Sequence, residues 1–278
     1  MKNILLLFVC IISFKGYNQE YLDKKIDEGI AFYKGGKVDK AYRIWKEIEK
    51  KADKNSSTYG TTIGNILFYY IEKKDEPNFL IYYDKIIKSG LNDRDLNHEI
   101  GKPFKNYRYH ATMHIASYYG KNKEFQKALE FIEKADNEII FETTSLSAYT
   151  YQKVDLAFWK HRLLKDLGQN DKAISKLIER AFEYDYKNMY PNWATVSPGT
   201  DEEELAETIC ENFSDLNILK TEIDAAIENA KFDKSKKIIE FKLFEIDYTI
   251  NLYTDFENID IAKEYLKKSY FYEYLKEK

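Results

Sequence analysis

Two stretches of this chain repeat one order of small, aromatic and large side chains around a short turn. No other feature limits the fold as much. The first runs from Gly29 and Phe32, through the turn at Gly35-Gly36, to Ala41, Trp45 and Ile48. The second runs from Ala116 and Tyr119 to Phe125, Ala128, Ile132 and Ala135, with the two key alanines 87 residues apart. Small residues at helical spacing let two helices approach closely, and large ones fill what is left of the gap. A third copy, 45 residues on, passes from His161 through Leu164, Gly168 and Ala173 to Leu177. It places Arg180 where a small residue belongs, with Ala181 one step late. Tyr253 to Ser269, around Ala262 and Leu266, is a weaker fourth. Between the first two copies, Ile66–Tyr70 and Pro77–Ile87 predict one more hairpin, with Pro77 in the first helical turn, where its missing N–H costs nothing. Only 11 Gly and 4 Pro occur in 278 residues. A β-rich chain needs more turn residues than that, so the count favours long helices on short connections.

These segments resemble the tetratricopeptide consensus and cover roughly half of the chain. The resemblance implies an all-α fold of stacked antiparallel helical hairpins, a degenerate solenoid. The uneven spacing and the missing repeat-ending prolines argue against a regular superhelix; the competing architecture is a nonrepetitive helical bundle. The resemblance also implies that the first helix of each hairpin lines a groove for a peptide or partner protein. Carried over by position, that groove takes Ile26, Ile30 and Tyr33 from the first copy. His110, Met113 and Ser117 come from the second, and Asp155, Phe158 and Arg162 from the third. The plainer role for several of these is to seal neighbouring repeats.

The N-terminus reads as an export signal. After Met1-Lys2-Asn3, an apolar run from Ile4 to Phe14 is broken only by Ser13. Eleven residues suit a secretory core and fall short of the roughly 20 that a spanning helix needs. The segment resembles signal peptides of envelope proteins in some Gram-negative bacteria, with cleavage expected after Asn18. A lipoprotein is disfavoured because Leu7-Phe8-Val9 brings no small residue before Cys10. Loss of residues 1–18 removes Lys2 and Lys15, moving the formal charge from −4 to −6, and leaves no membrane span. It also leaves Cys210 alone, so no internal disulfide frames the fold. The expected location is periplasmic or secreted. The alternative is a cytoplasmic adaptor whose buried first helix imitates a signal.

The expected organisation is then repeats over 19–187, an ordered loop over 188–200 and a helical region over 201–278. The loop holds two prolines, Tyr190 and Trp193, and exposed aromatics there could anchor a partner or stack on a sugar. Core burial of Trp193 is the competing role. Thr200 and Glu203 have capping-box spacing. Ser214 predicts a second helix start, with Phe213 and Ile218 spaced as a hydrophobic staple. Amphipathic patterns over 233–253 and 257–276 predict further helical layers.

Chemistry is sparse. His110 and His114 share a helix face four residues apart, but a metal needs a third ligand and none is evident nearby. His98-Glu99 lacks the second His of a metalloprotease motif. There is no phosphate loop, no nucleophile elbow and no His partner for Cys210. With 43 basic and 47 acidic residues spread along the chain, no basic block exists to neutralise a row of phosphates, which opposes nucleic-acid binding. The reading is a noncatalytic protein- or peptide-binding module without cofactor or metal. The alternatives are a small-molecule or glycan-binding protein, or a cryptic enzyme, with a pocket near the 188–200 loop.

Overall fold

The computed structural model describes residues 20–91, 104–183, 200–252 and 256–278. The segments expected to be the signal and the 188–200 loop, apart from Thr200, lie outside those residues. The chain divides into two compact units, Met1–Thr143 and Thr144–Lys278.

The first unit is three helical hairpins. Helix α1 covers 20–34; α2 spans Val38–Lys51, α3 Ser57–Glu72, α4 Glu76–Ile87, α5 Tyr107–Lys121 and α6 Phe125–Asn137. Ala41, Trp45 and Ile48 form the buried face of α2, and Ala128, Ile132 and Ala135 that of α6. A Cβ on Gly29 would lie 2.5 Å from Trp45 Nε1, so only glycine lets the indole lie against α1. In α4 the equivalent of Ala41 is Phe79, fully buried, whose ring meets Tyr118 at 4.8 Å and Tyr119 at 6.1 Å. That substitution hides the middle hairpin from the repeat pattern, while its ring fills the gap toward α5. Asp75 caps α4, accepting from Asn78 N at 3.3 Å, and Pro77 sits in the first turn as expected. Asn106, with φ 45°, is buried ahead of α5 and exchanges two amide hydrogen bonds with Glu142, at 3.0 and 2.8 Å, tying the exit of α6 to the entry of α5.

One turn geometry joins the hairpins. In each, the middle turn residue is left-handed: Gly36 (φ 75°), Lys74 (56°) and Lys123 (63°) in the first unit, and Gly168 (73°) in the second. The following N–H reaches back to a carbonyl five residues earlier: Lys37 to Phe32 (2.8 Å), Asp75 to Tyr70 (3.0 Å), Glu124 to Tyr119 (2.9 Å) and Gln169 to Leu164 (2.9 Å). This is the Schellman cap, which satisfies carbonyls that a helix end leaves without partners.

The second unit opens with a fourth hairpin, α7 (Leu146–Asp166) and α8 (Asn170–Glu183), followed by α9 (Thr200–Glu211) and α10 (Leu216–Glu228). The helical expectation for 233–253 is corrected here. Residues Lys231–Asp233, Ile238–Leu243 and Ile246–Asn251 are β1, β2 and β3 of an antiparallel sheet in that order. Strict alternation explains it: Ile239, Phe241 and Leu243 are buried while Glu240 and Lys242 are exposed, and Tyr248 and Ile250 are buried between exposed Asp247, Thr249 and Asn251. Period two buries one face of a sheet and cannot bury one face of a helix. The β2–β3 turn pairs Leu243 with Ile246 around Phe244 (φ 50°) and Glu245 (φ 64°), both left-handed as a two-residue hairpin of matching twist requires. Helices α11 (Ile259–Lys267) and α12 (Tyr270–Glu277) complete the unit. Phe182 on α8 sits edge-on to Phe241 (5.7 Å) and Phe271 (5.5 Å), so hairpin, sheet and last helix share one core.

Two local expectations also shift. The cap of α10 is Asp215 rather than Ser214; its carboxylate accepts from Asn217 N at 2.9 Å and Ile218 N at 3.3 Å. The staple does not form, since Ile218 is 58% exposed and Phe213 stacks on Phe244 at 5.4 Å. Helix α9 begins at Thr200 with Asp201, Glu202 and Glu203 in its first turn, where carboxylates favour the positive end of the helix dipole. The architecture is mostly helical, built of stacked hairpins with one small sheet near the C-terminus. Among the described residues no helix is long and apolar enough to cross a membrane.

Candidate functional site

The shared turn gives the first unit a common register. Counting back from Gly36, Lys74 and Lys123, equivalent positions on α1, α3 and α5 fall into rows. One row is Ile30, Phe68 and Ser117; another is Ile26, Gly64 and Met113; a third is Asp27, Asn65 and His114. Ring contacts run diagonally across these rows and join the three helices. Tyr33 on α1 lies edge-on to Phe68 on α3 at 6.1 Å, and Phe68 lies edge-on to His114 on α5 at 5.4 Å. Tyr33 also touches Trp45 (6.0 Å), and its hydroxyl donates to Glu72. Burial first, then that carboxylate, pushes the Tyr33 phenol up to about 12. The phenol is therefore a fixed neutral donor at any physiological pH.

Phe68 is half-buried at the centre of this row, and Gly64, one turn before it, leaves open space where a Cβ would stand. Asn65 beside it keeps its Nδ2 buried without a hydrogen-bond acceptor. A half-buried aromatic beside open space at Gly64 can receive an apolar side chain. Gly60 lets Tyr107 pack against α3, and the Tyr107 hydroxyl donates to Ser57 O at 3.0 Å, which fixes α5 against α3.

The residues expected to line a groove divide unevenly. Tyr33 and Ile30 on α1 and Met113 and Ser117 on α5 are half-buried, and His110 is exposed. Ile26 is buried (5% exposed) and belongs to the core rather than to an open surface. Desolvation, then the charges of His110 and Lys121, lower the pKa of His114. Asp155, Phe158 and Arg162 lie on α7 of the second unit. There Arg162 covers the Trp159 ring at 5.5 Å, and Phe158 packs against the unit's own core. Burial pushes the Asp155 carboxyl up, opposed by the Arg162 charge and a hydrogen bond from Trp159. Tyr190 and Trp193 lie outside the described residues. Thr61, Gly64, Asn65 and Phe68 complete this face from α3, whose hairpin departs most from the repeat consensus. The offset from Lys74 would have found them.

Other features carry less chemistry. In the second unit a cleft of about 530 Å³ lies between α10 and the sheet. Its charges answer one another across the ladder, Lys231 opposite Glu240 and Lys242 opposite Asp247, so it is a solvated furrow rather than a poised site. Burial pushes the thiol of the free, half-buried Cys210 up, the opposite of what a nucleophile needs. Among the described residues no three His, Cys, Asp or Glu side chains gather to hold a metal ion.

No protein-family model matches the chain, and no curated protein matches it in sequence. Among solved structures it is similar to a putative kinesin light chain of Podosopora anserina with nearly identical TPR-like repeats. The identity is 12%, with 69% of this chain and 84% of that chain covered and a TM-score of 0.41. It is also similar to pilF of Pseudomonas aeruginosa, at 9% identity, 74% and 83% coverage and a TM-score of 0.40. Likenesses this distant transfer no partner, activity or site.

Proposed function

We propose that the protein is a noncatalytic interaction module of the cell envelope that binds an extended peptide segment of a partner protein across α1, α3 and α5. One observation carries this reading: the chain of ring contacts from half-buried Tyr33 through half-buried Phe68 to exposed His114 on three successive first helices, with open space at Gly64 one turn from Phe68. Half-buried aromatics on rigid helices offer apolar contact at little entropic cost, as peptide-recognition surfaces require. The envelope location rests on the short apolar run Ile4–Phe14 behind a single early lysine.

Display selection from a random 12-residue peptide library tests the binding reading. Sequences enriched by the parent should be lost with a folded Phe68→Ala, Met113→Ala variant, by at least about tenfold in affinity if Phe68 is a hot spot. A library from which nothing enriches, or binding indifferent to both substitutions, removes the reading. Location is tested separately by N-terminal sequencing of protein from native cells. A chain beginning near Gln19 supports export, and an intact Met1 overturns it.

A further inference from the structure

The binding face is not electrically even. On α1 its polar positions are Asp23 and Asp27, on α3 Thr61 and Asn65, and on α5 His110 and His114. Carboxylates thus stand at one side, neutral donors in the middle and imidazoles at the other. The lysines next to the two aspartates are already engaged: Lys24 pairs with Glu20 at 2.9 Å and Lys25 with Glu28 at 2.5 Å. Asp23 accepts only a neutral hydroxyl, from Thr58, among its described contacts, and Asp27 is exposed. The α1 side of the face therefore carries two carboxylates that no cation pairs directly among the described residues.

We infer that the peptide bound here carries a basic residue about three positions from a large apolar one. The apolar side chain sits over Gly64 against Phe68, and the basic one lies against Asp23 and Asp27. This rests on the peptide-binding reading above and adds a partner chemistry to it. The separation follows from geometry: packed helices lie about 8–10 Å apart, and an extended strand advances about 3.3 Å per residue. Stepping from the α3 notch to the α1 carboxylates therefore takes about three residues. Complementary charge at such an edge selects partners and speeds encounter more than it adds affinity.

The test uses fluorescence anisotropy with labelled 12-residue peptides in a Gly/Ser background and the full chain. Each peptide carries one Phe, and either Arg or Glu at separations of one to six, in both orders; a Phe-only peptide is the reference. The Arg peptide at a separation of about three is expected to bind about fivefold tighter than its Glu counterpart, the size that exposed ion pairs allow. Higher salt should shrink that ratio. In the Asp23→Asn, Asp27→Asn double variant, checked for folding by circular dichroism, the two should bind alike while the dependence on Phe remains. If Arg and Glu peptides bind the parent equally, yet Phe68→Ala abolishes binding, the charge inference falls and the binding face stands. If no peptide binds, or Phe68→Ala changes nothing, both fall together.

Discussion

The two units begin alike and end differently. Each opens on a hairpin with the same left-handed turn, Gly36 in one and Gly168 in the other, and the same buried alanine four residues into the second helix, Ala41 or Ala173. In the first unit more hairpins follow, and the faces of α1, α3 and α5 keep Tyr33 and Phe68 half-buried and His114 exposed. In the second unit α7 and α8 are drawn into a closed core with the sheet and the last two helices, and Phe158 goes with them. An identical local motif thus leaves an open helical face or joins a closed core according to what is stacked on it. The position that broke the repeat pattern shows how. Arg180 replaces a small residue and pairs with Glu183, and Glu183 also accepts from Asn251 Nδ2 on β3 at 2.6 Å. The charged departure from the consensus is the tie between hairpin and sheet.

Removing that tie should separate the units most sharply. Glu183 is buried at 4% exposure, so Glu183→Ala takes a buried carboxylate from half-buried Arg180 and from Asn251, and is expected to cost about 3 kcal/mol. Hydrogen exchange should report it as lost protection in β2 and β3, with α1–α6 unchanged. Equal loss in both units would mean that they unfold as one body and that the comparison has no energetic content. In the first unit the corresponding break is Gly29→Ala. Its new Cβ would have to displace the Trp45 indole, and overpacking of that kind costs about 1–3 kcal/mol. Urea unfolding followed by tryptophan fluorescence measures it, and a neutral result would show that α1 can shift without consequence.

A smaller effect distinguishes the units by pH. The equivalents of Gly29 are Leu67 in α3, Ala116 in α5 and His161 in α7, and His161 is buried with its Nδ1 lacking a partner. Desolvation lowers its pKa from 6.5, helped by the charges of Lys165 and Arg162 and opposed by a hydrogen bond with the Ala173 backbone. Between 6.5 and the depressed folded value the unfolded chain binds more protons than the folded one. Stability of the second unit is therefore full above about pH 6.5 and declines as pH falls below it. His161→Ala should flatten that slope in exchange-detected unfolding of α7–α8. A slope that survives the substitution would assign it to other groups.

Much of this was legible wherever the sequence spends a residue type on a geometry. Gly35-Gly36, Gly168, Ala41, Ala128 and Pro77 each mark a turn or close approach that few other residues tolerate, so the hairpins could be read directly. The sheet could not be read so easily, because its β2–β3 turn places Phe244 and Glu245 in left-handed conformations usually given to Asn and Gly. Without a turn signal, charged and apolar residues in 233–253 also fit a helical period loosely, and only the stricter alternation from Ile239 to Leu243 separates strand from helix. The face across α1, α3 and α5 was half legible for a similar reason. Tyr33, His110, Met113 and Ser117 follow from copies that match the consensus, whereas Phe68 sits in a hairpin disguised by Phe79 and by a lysine turn.

That disguise suggests the finest test of whether all four turns are one motif. Lys74 and Lys123 occupy the left-handed position that Gly36 and Gly168 fill, with the same pair of backbone hydrogen bonds. An L side chain there costs roughly 1–2 kcal/mol relative to a right-handed residue, and glycine returns part of its relief by loosening the unfolded chain, worth about 0.4–1 kcal/mol. Lys74→Gly and Lys123→Gly should therefore each stabilise the first unit by about 0.5 kcal/mol, read as a higher urea midpoint at unchanged slope. Gly36→Lys should destabilise it by a similar amount, since nothing lies within 4 Å of a Cβ built there and only backbone strain is added. If the two lysine substitutions destabilise instead, then Lys74 and Lys123 make side-chain contributions that glycine cannot supply, and the four turns share a shape without sharing an energetic origin.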